Sequence, residues 1–163
     1  MKQKALVMFV LMVCFFLVAC NGTENQFDQK LEQEKATKVM NSVLTSFDDE
    51  EKLAEAKTSD EANQIAWEKI KERNTASLSD DLNEKDESRL LYLLTTNKAE
   101  DLSNGGTKAN LLFSQDTKNK NVSFNESAKS FTFDIERSGF DHKLITLEKQ
   151  EDKWKIVKVA DPE

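Results

Sequence analysis

The sequence predicts an α+β fold, with N-terminal helices packed on a C-terminal curved antiparallel sheet of about four strands. Three observations carry this expectation. Apolar residues recur at helical spacing up to about residue 97. They alternate with polar residues at period two near the C-terminus. The change falls at Ser103-Asn104-Gly105-Gly106, which holds half of the four glycines in the chain.

The spacing predicts a first helix from Phe27 to Phe47. Its apolar positions are Phe27, Leu31, Ala36, Val39, Met40, Val43, Leu44 and Phe47, and from Ala36 the steps are three, one, three, one, three. That is a one-sided stripe, read as core-facing, with the charged residues on the other face. Asp48-Asp49-Glu50-Glu51 follows and is read as the acidic start of a short second helix holding Leu53, Ala54 and Ala56. Four acids also suit calcium, but the run lacks the turn glycine and the final glutamate of a calcium loop. Thr58 with Glu61 forms a capping-box pattern opening a helix through Ile65, Ala66, Trp67 and Ile70 to about Arg73. A further helix is expected from Asn83 to Asn97. Its five consecutive apolar residues Leu90-Leu91-Tyr92-Leu93-Leu94 predict burial on more than one face.

Beyond the glycine pair, Ala109 to Ser114 reads as a short apolar strand. Asn119-Lys120-Asn121 reads as a turn before an extended Val122-Ser123-Phe124. Phe131, Phe133 and Ile135 alternate with Thr132, Asp134 and Glu136, which places Asp134 outward. After a turn at Ser138-Gly139, Ile145 and Leu147 alternate with Leu144, Thr146 and Glu148. Glu151-Asp152 turns the chain into a last strand, where Trp154 and Ile156 take one face and Val157 and Val159 the other. No repeat and no low-complexity linker interrupts residues 27–160, which reads as a single α+β domain.

The N-terminus carries a different signal. Lys2 and Lys4 precede an uninterrupted apolar run from Ala5 to Ala19, which stops at Asn21-Gly22-Thr23-Glu24-Asn25. A short basic region and an apolar run of this length read as a secretory signal, shorter than a spanning helix needs. The run closes on Leu17-Val18-Ala19-Cys20. These four residues resemble the bacterial lipobox. The resemblance implies cleavage between Ala19 and Cys20 and a diacylglyceryl thioether on the Cys20 thiol. Residues 1–19 would then be a lipoprotein signal peptide and residues 20–26 a lipidated tether. The domain would sit on the extracytoplasmic face of the cell membrane, anchored through lipid on Cys20.

Composition narrows the chemistry. Cleavage removes Lys2 and Lys4 and no acid, leaving 30 acidic residues against 21 basic ones, a formal charge of −9. Such a balance argues against nucleic acid as a partner. The sequence has two cysteines; Cys14 leaves with the signal and Cys20 is taken by lipid, so thiol catalysis, disulfides and thiolate metal sites are not expected. His142 is the single histidine, and Ser138-Gly139-Phe140-Asp141-His142 reads as a solvated turn. Tyr92 is the single tyrosine and reads as a core residue. No metal, no cofactor and no catalytic residue is therefore expected. The sequons at Asn21, Asn121 and Asn125 read as ordinary polar loops.

The final hairpin, Ile145-Thr146-Leu147-Glu148-Lys149-Gln150-Glu151-Asp152-Lys153-Trp154-Lys155-Ile156-Val157-Lys158-Val159, resembles the closing strands of NTF2-like, cystatin-like small exported lipoproteins. That resemblance implies a sheet wrapped around the first helix as a cone with an open mouth. Two function classes remain. The first is a non-enzymatic module binding an envelope or surface protein. The second is a small-ligand binder or enzyme using an NTF2-like cavity, for which Tyr92 with a buried acid would be the minimum equipment.

Overall fold

The computed structural model describes residues 27–47, 52–101, 107–114, 116–137 and 141–162. The lipobox, the acidic run Asp48–Glu51, the Ser103–Gly106 break and the Ser138-Gly139 turn lie outside the described residues. Contacts divide the chain into Met1–Glu32 and Gln33–Glu163. Of the first unit only residues 27–32 are described, where the Asp28 carboxylate accepts the Leu31 amide at 3.1 Å and so caps the helix that starts there.

The described residues form an α+β fold. Helix α1 is Gln29–Leu44, β1 is Lys52–Ala56, α2 is Ser59–Asn74 and α3 is Glu84–Leu94. Strands β2 (Thr95–Asp101), β3 (Thr107–Phe113), β4 (Thr117–Asn125), β5 (Ser130–Arg137), β6 (Asp141–Gln150) and β7 (Lys153–Ala160) follow. The strands make two antiparallel sheets, ordered β1-β3-β2 and β4-β5-β6-β7. The four-stranded meander is the sheet the sequence predicts. The three-stranded sheet is an addition to that expectation.

Helix α1 buries Ala36, Met40, Val43 and Leu44 of the predicted stripe, and Phe47 just past its end is buried as well, whereas Val39 is half-buried and Leu31, near the start, is exposed. The Phe47 ring packs 5.4 Å from that of Phe113 on β3 and lies under the Arg73 guanidinium at 4.3 Å. Arg73 Nη1 also donates to the Ser46 carbonyl at 3.0 Å, and Asn74 Nδ2 to Ser46 Oγ at 3.2 Å. These contacts fix the end of α1 on the end of α2. Helix α2 starts where Thr58 predicts, with Thr58 Oγ1 accepting the Glu61 amide at 3.2 Å. It buries Ala62, Ala66, Ile70 and Asn74, one residue per turn, against β1 and β3. Ile65 stays partly exposed on its flank.

The short helix expected around Leu53 is instead strand β1. Lys52–Ala56 pairs with Leu112–Ala109 of β3, and a register shift between Lys52 and Ala54 lets the adjacent Leu53 and Ala54 both be buried. Two neighbouring apolar residues imitate a helix fragment, and the ladder to β3 overrides that local pattern. The third helix also differs from expectation. Asn83 caps it through Oδ1, which accepts the Lys85 and Asp86 amides at 3.0 Å each. It ends at Leu94 rather than Asn97, and Thr95–Asn97 open β2 with no intervening loop. Leu90, Leu93 and Leu94 are buried, but Tyr92 is half exposed, so the apolar run buries one broad face and not the whole helix.

In the four-stranded sheet Phe131, Phe133, Ile135, Ile145, Leu147 and Ile156 are fully buried. The Phe131 ring lies 4.9 Å from Phe124 and 5.1 Å from Trp154, joining β4, β5 and β7 on one face. Asn119-Lys120-Asn121 is not a turn; it is a bulge inside a continuous β4, between the pairs Asn119–Ile135 and Asn121–Asp134. A second bulge corrects the last strand. Thr146 pairs with Lys158 and Leu147 with Ile156, which leaves Val157 as the extra residue. The strand changes parity there, and Val159 joins Trp154 and Ile156 in the core instead of facing away. Glu151 and Asp152 form the hairpin turn as expected, both at positive φ, 48° and 65°. The outer edge of β7 is paired over one stretch by residues 77–79: Ser79 N donates to Ile156 O at 3.0 Å and Ile156 N to Ser77 O at 2.8 Å.

Candidate functional site

The densest polar constellation among the described residues surrounds the last turn of α3. It starts from a local need. The C-terminal carbonyls of this helix have no basic side chain in their own last turn, yet that end carries negative partial charge. Strand β5 supplies the cation. Arg137 Nη1 donates to the carbonyl of Thr95 at 2.7 Å and to that of Tyr92, and its guanidinium lies 4.6 Å from the Tyr92 ring centroid. One side chain of the four-stranded sheet thus closes the helix that leads directly into the three-stranded one.

Tyr92 is turned outward by its place on the helix and donates its hydroxyl to Asp141 Oδ2 at 2.8 Å. Asp141, the first residue of β6, also faces Lys143 Nζ at 3.4 Å. Lys143 is buried, yet its ammonium reaches Asp161 at 3.2 Å and sits 5.5 Å from the Tyr92 ring centroid. Arg89, one turn earlier on α3, donates Nε and Nη2 to Asp161 Oδ2 at 3.0 and 2.6 Å and Nη1 to the Val159 carbonyl at 3.1 Å. Asp86 lies 3.4 Å from Arg89 and accepts Asn83 Nδ2 at 2.9 Å.

The electrostatics follow from these partners. The Tyr92 hydroxyl, backed by Lys143 and Arg137, holds the Asp141 carboxyl below the usual aspartate range against the opposing effect of burial. Arg89 and then Lys143 do the same for Asp161. Both groups are charged at neutral pH and bonded to cations, the opposite of the proton-exchanging state that acid–base catalysis requires. The arrangement is suited to clasping α3 onto β6 and the C-terminal residues.

The single histidine is not in a turn. It lies in β6 opposite Glu136, and its Nδ1 is 2.9 Å from Asp134 Oδ1 across the β5–β6 ladder. Asp134 is on the outward parity, as expected, and is half-buried. Tyr92 and His142 are thus both on the surface side of their elements, on different sets of partners. Asn121 and Asn125 are exposed and serve local backbone bonds to Val122 and Ala128. Ala19 and Cys20 lie outside the described residues.

Sequence reasoning passed over a groove beside this constellation. A cavity of about 440 Å³ has Leu91, Tyr92, Thr95, Leu111 and Arg137 among its lining residues. The signal available in the sequence was weak, since an arginine ending a strand reads as an ordinary solvated charge. A smaller cavity of about 190 Å³ lies between α2 and the segment before α3, where Lys71 is accompanied by Glu72, Asp80 and Glu87. No helix among the described residues is long and apolar enough to cross a membrane. No protein-family model, curated protein or solved structure matches the chain.

Proposed function

We propose that this chain is a lipid-anchored extracytoplasmic module, cut before Cys20, whose α+β domain binds another protein of the envelope without catalysing a reaction. The observation that carries the anchoring is the box Leu17-Val18-Ala19-Cys20 closing the apolar run from Ala5. The thiol is the group to be alkylated, and the residues before it have the small or apolar character the peptidase requires. Each buried methylene contributes about 0.8 kcal/mol, so two acyl chains hold a protein where a single chain anchors only marginally.

A binding role is favoured over catalysis by the state of the polar residues around α3. Asp141 and Asp161 are held charged by hydroxyl, ammonium and guanidinium partners. The acidic balance of the chain keeps an anchored domain soluble and off anionic lipid headgroups. The test is cross-linking in intact cells followed by affinity capture from membranes, with Cys20 retained and with Cys20→Ala. The proposal expects a defined partner with the wild type and loss of both partner and membrane association with the variant. A Cys20→Ala protein that stays on the membrane at unchanged mass contradicts it.

A further inference from the structure

We propose that the groove beside α3 is a binding site for a small carboxylic acid, with Arg137 as the residue that receives the carboxylate. Its volume, about 440 Å³, lies in the ordinary range for small-molecule sites. The chain has 30 acidic residues against 23 basic ones, yet no acid lines this groove and its single charge is the Arg137 guanidinium. The cavity beside α2 differs, since its lysine shares the lining with three acids.

Arg137 is half-buried and forms no ion pair with a carboxylate among the described residues. Its Nη1 is spent on the two carbonyls at the end of α3. Those two bonds and the Tyr92 ring fix the plane of the guanidinium, which leaves Nε and Nη2 as the donors for an anion. A fixed guanidinium fork matches a carboxylate in two parallel hydrogen bonds. Asp141 faces Arg137 across the β5–β6 ladder and feels its charge, but its oxygens are bonded to Tyr92 and Lys143 and it makes no ion pair with the guanidinium. Leu91 and Leu111 contribute apolar lining, and Asn63 and Asn97 contribute amides. The ligand is therefore an acid with a small apolar body and an amide or hydroxyl group. A free metabolite and the carboxyl terminus of a short peptide share that chemistry. This site is independent of the lipid anchor and does not rest on it.

The test uses the full chain as recovered from its own cells, in detergent micelles, with amide resonances followed by NMR. The probes are N-benzoylglycine and the peptide acetyl-Gly-Ser-Ala-Ala, each as the free acid and as the uncharged amide. An acid is expected to move the Asn63, Tyr92, Thr96 and Arg137 signals saturably, with its amide at least about tenfold weaker. The tighter of the two acids identifies the source. Asn97→Asp, an exposed substitution that leaves the helix end untouched, adds a negative charge to the groove and is expected to weaken the acid about fivefold more than it weakens the amide. Arg137→Gln is expected to remove the preference for the acid. Acids that bind no better than their amides, or shifts confined to residues outside the groove, overturn the proposal.

Discussion

The Tyr92 hydroxyl donates to Asp141 Oδ2 at 2.8 Å, tying the last turn of α3 to the first residue of β6. Tyr92→Phe removes that bond and keeps the ring under Arg137. The site is half exposed, so the expected cost is about 0.5–1 kcal/mol in urea denaturation. The same change should raise the Asp141 pKa toward the ordinary aspartate value, which NMR titration of its carboxyl carbon reads directly. An unchanged Asp141 titration would detach Tyr92 from the polar cluster.

Asp141 and Asp161 set a pH dependence. Both carboxyls titrate lower in the folded protein than in the unfolded chain, where aspartate sits near pH 3.9. The stability they contribute is therefore complete above that unfolded value and is lost as pH falls through the folded ones. Urea midpoints of the wild type should fall steeply below about pH 4. The double variant Asp141→Asn, Asp161→Asn should start lower and fall less steeply over the same interval.

Thr58 Oγ1 accepts the otherwise orphan Glu61 amide in the first turn of α2. Thr58→Ala should cost about 1 kcal/mol, and Thr58→Ser should retain most of it. Chemical denaturation at neutral pH compares the three proteins.

The bulge at Val157 makes a sharper prediction about β7. Deleting Val157 restores regular alternation and keeps Trp154, Ile156 and Val159 facing the core. Deleting Lys155, which pairs regularly with Glu148, forces one of the flanking core residues outward. The first deletion should leave the near-ultraviolet dichroism of Trp154 intact. The second should cost about 3 kcal/mol or more, the scale of exposing a large buried side chain.

The elements that were legible in the sequence are those whose burial is one-sided and regular. The Ala36–Phe47 stripe, the Thr58 cap, and the alternation of Phe131, Phe133 and Ile135 all repeat at a single period, so pattern and structure agree. The errors fall where backbone pairing overrides pattern. Lys52–Ala56 is too short and too alanine-rich to look like a strand, and only β3 makes it one. Thr95–Asp101 is polar apart from Ala99, and its first three residues extend the helix pattern by default, although Thr95 already bonds back to the Leu91 carbonyl as the helix ends. Bulges are invisible to a period of two, which put Val159 on the wrong face.

The site was less legible than the fold, for a related reason. Tyr92 sits inside a run of five apolar residues, and nothing local marks it as the one that leaves the core. The partner its hydroxyl finds there, Asp141, lies 49 positions away. Arg137 gains its meaning from the carbonyls at the end of α3, from which β2, β3 and β4 separate it in the chain. The nearness of Ser138-Gly139 makes His142 read as a turn residue, while the ladder to β5 begins at Asp141 itself.

The anchoring is tested most directly by the mass of the N-terminal peptide from protein extracted out of its own membranes. Digestion and mass spectrometry should yield a peptide that begins at Cys20 and carries a diacylglyceryl group, with no peptide from residues 1–19. A peptide beginning elsewhere, or an unmodified Cys20 still joined to Ala19, would contradict the lipid anchor.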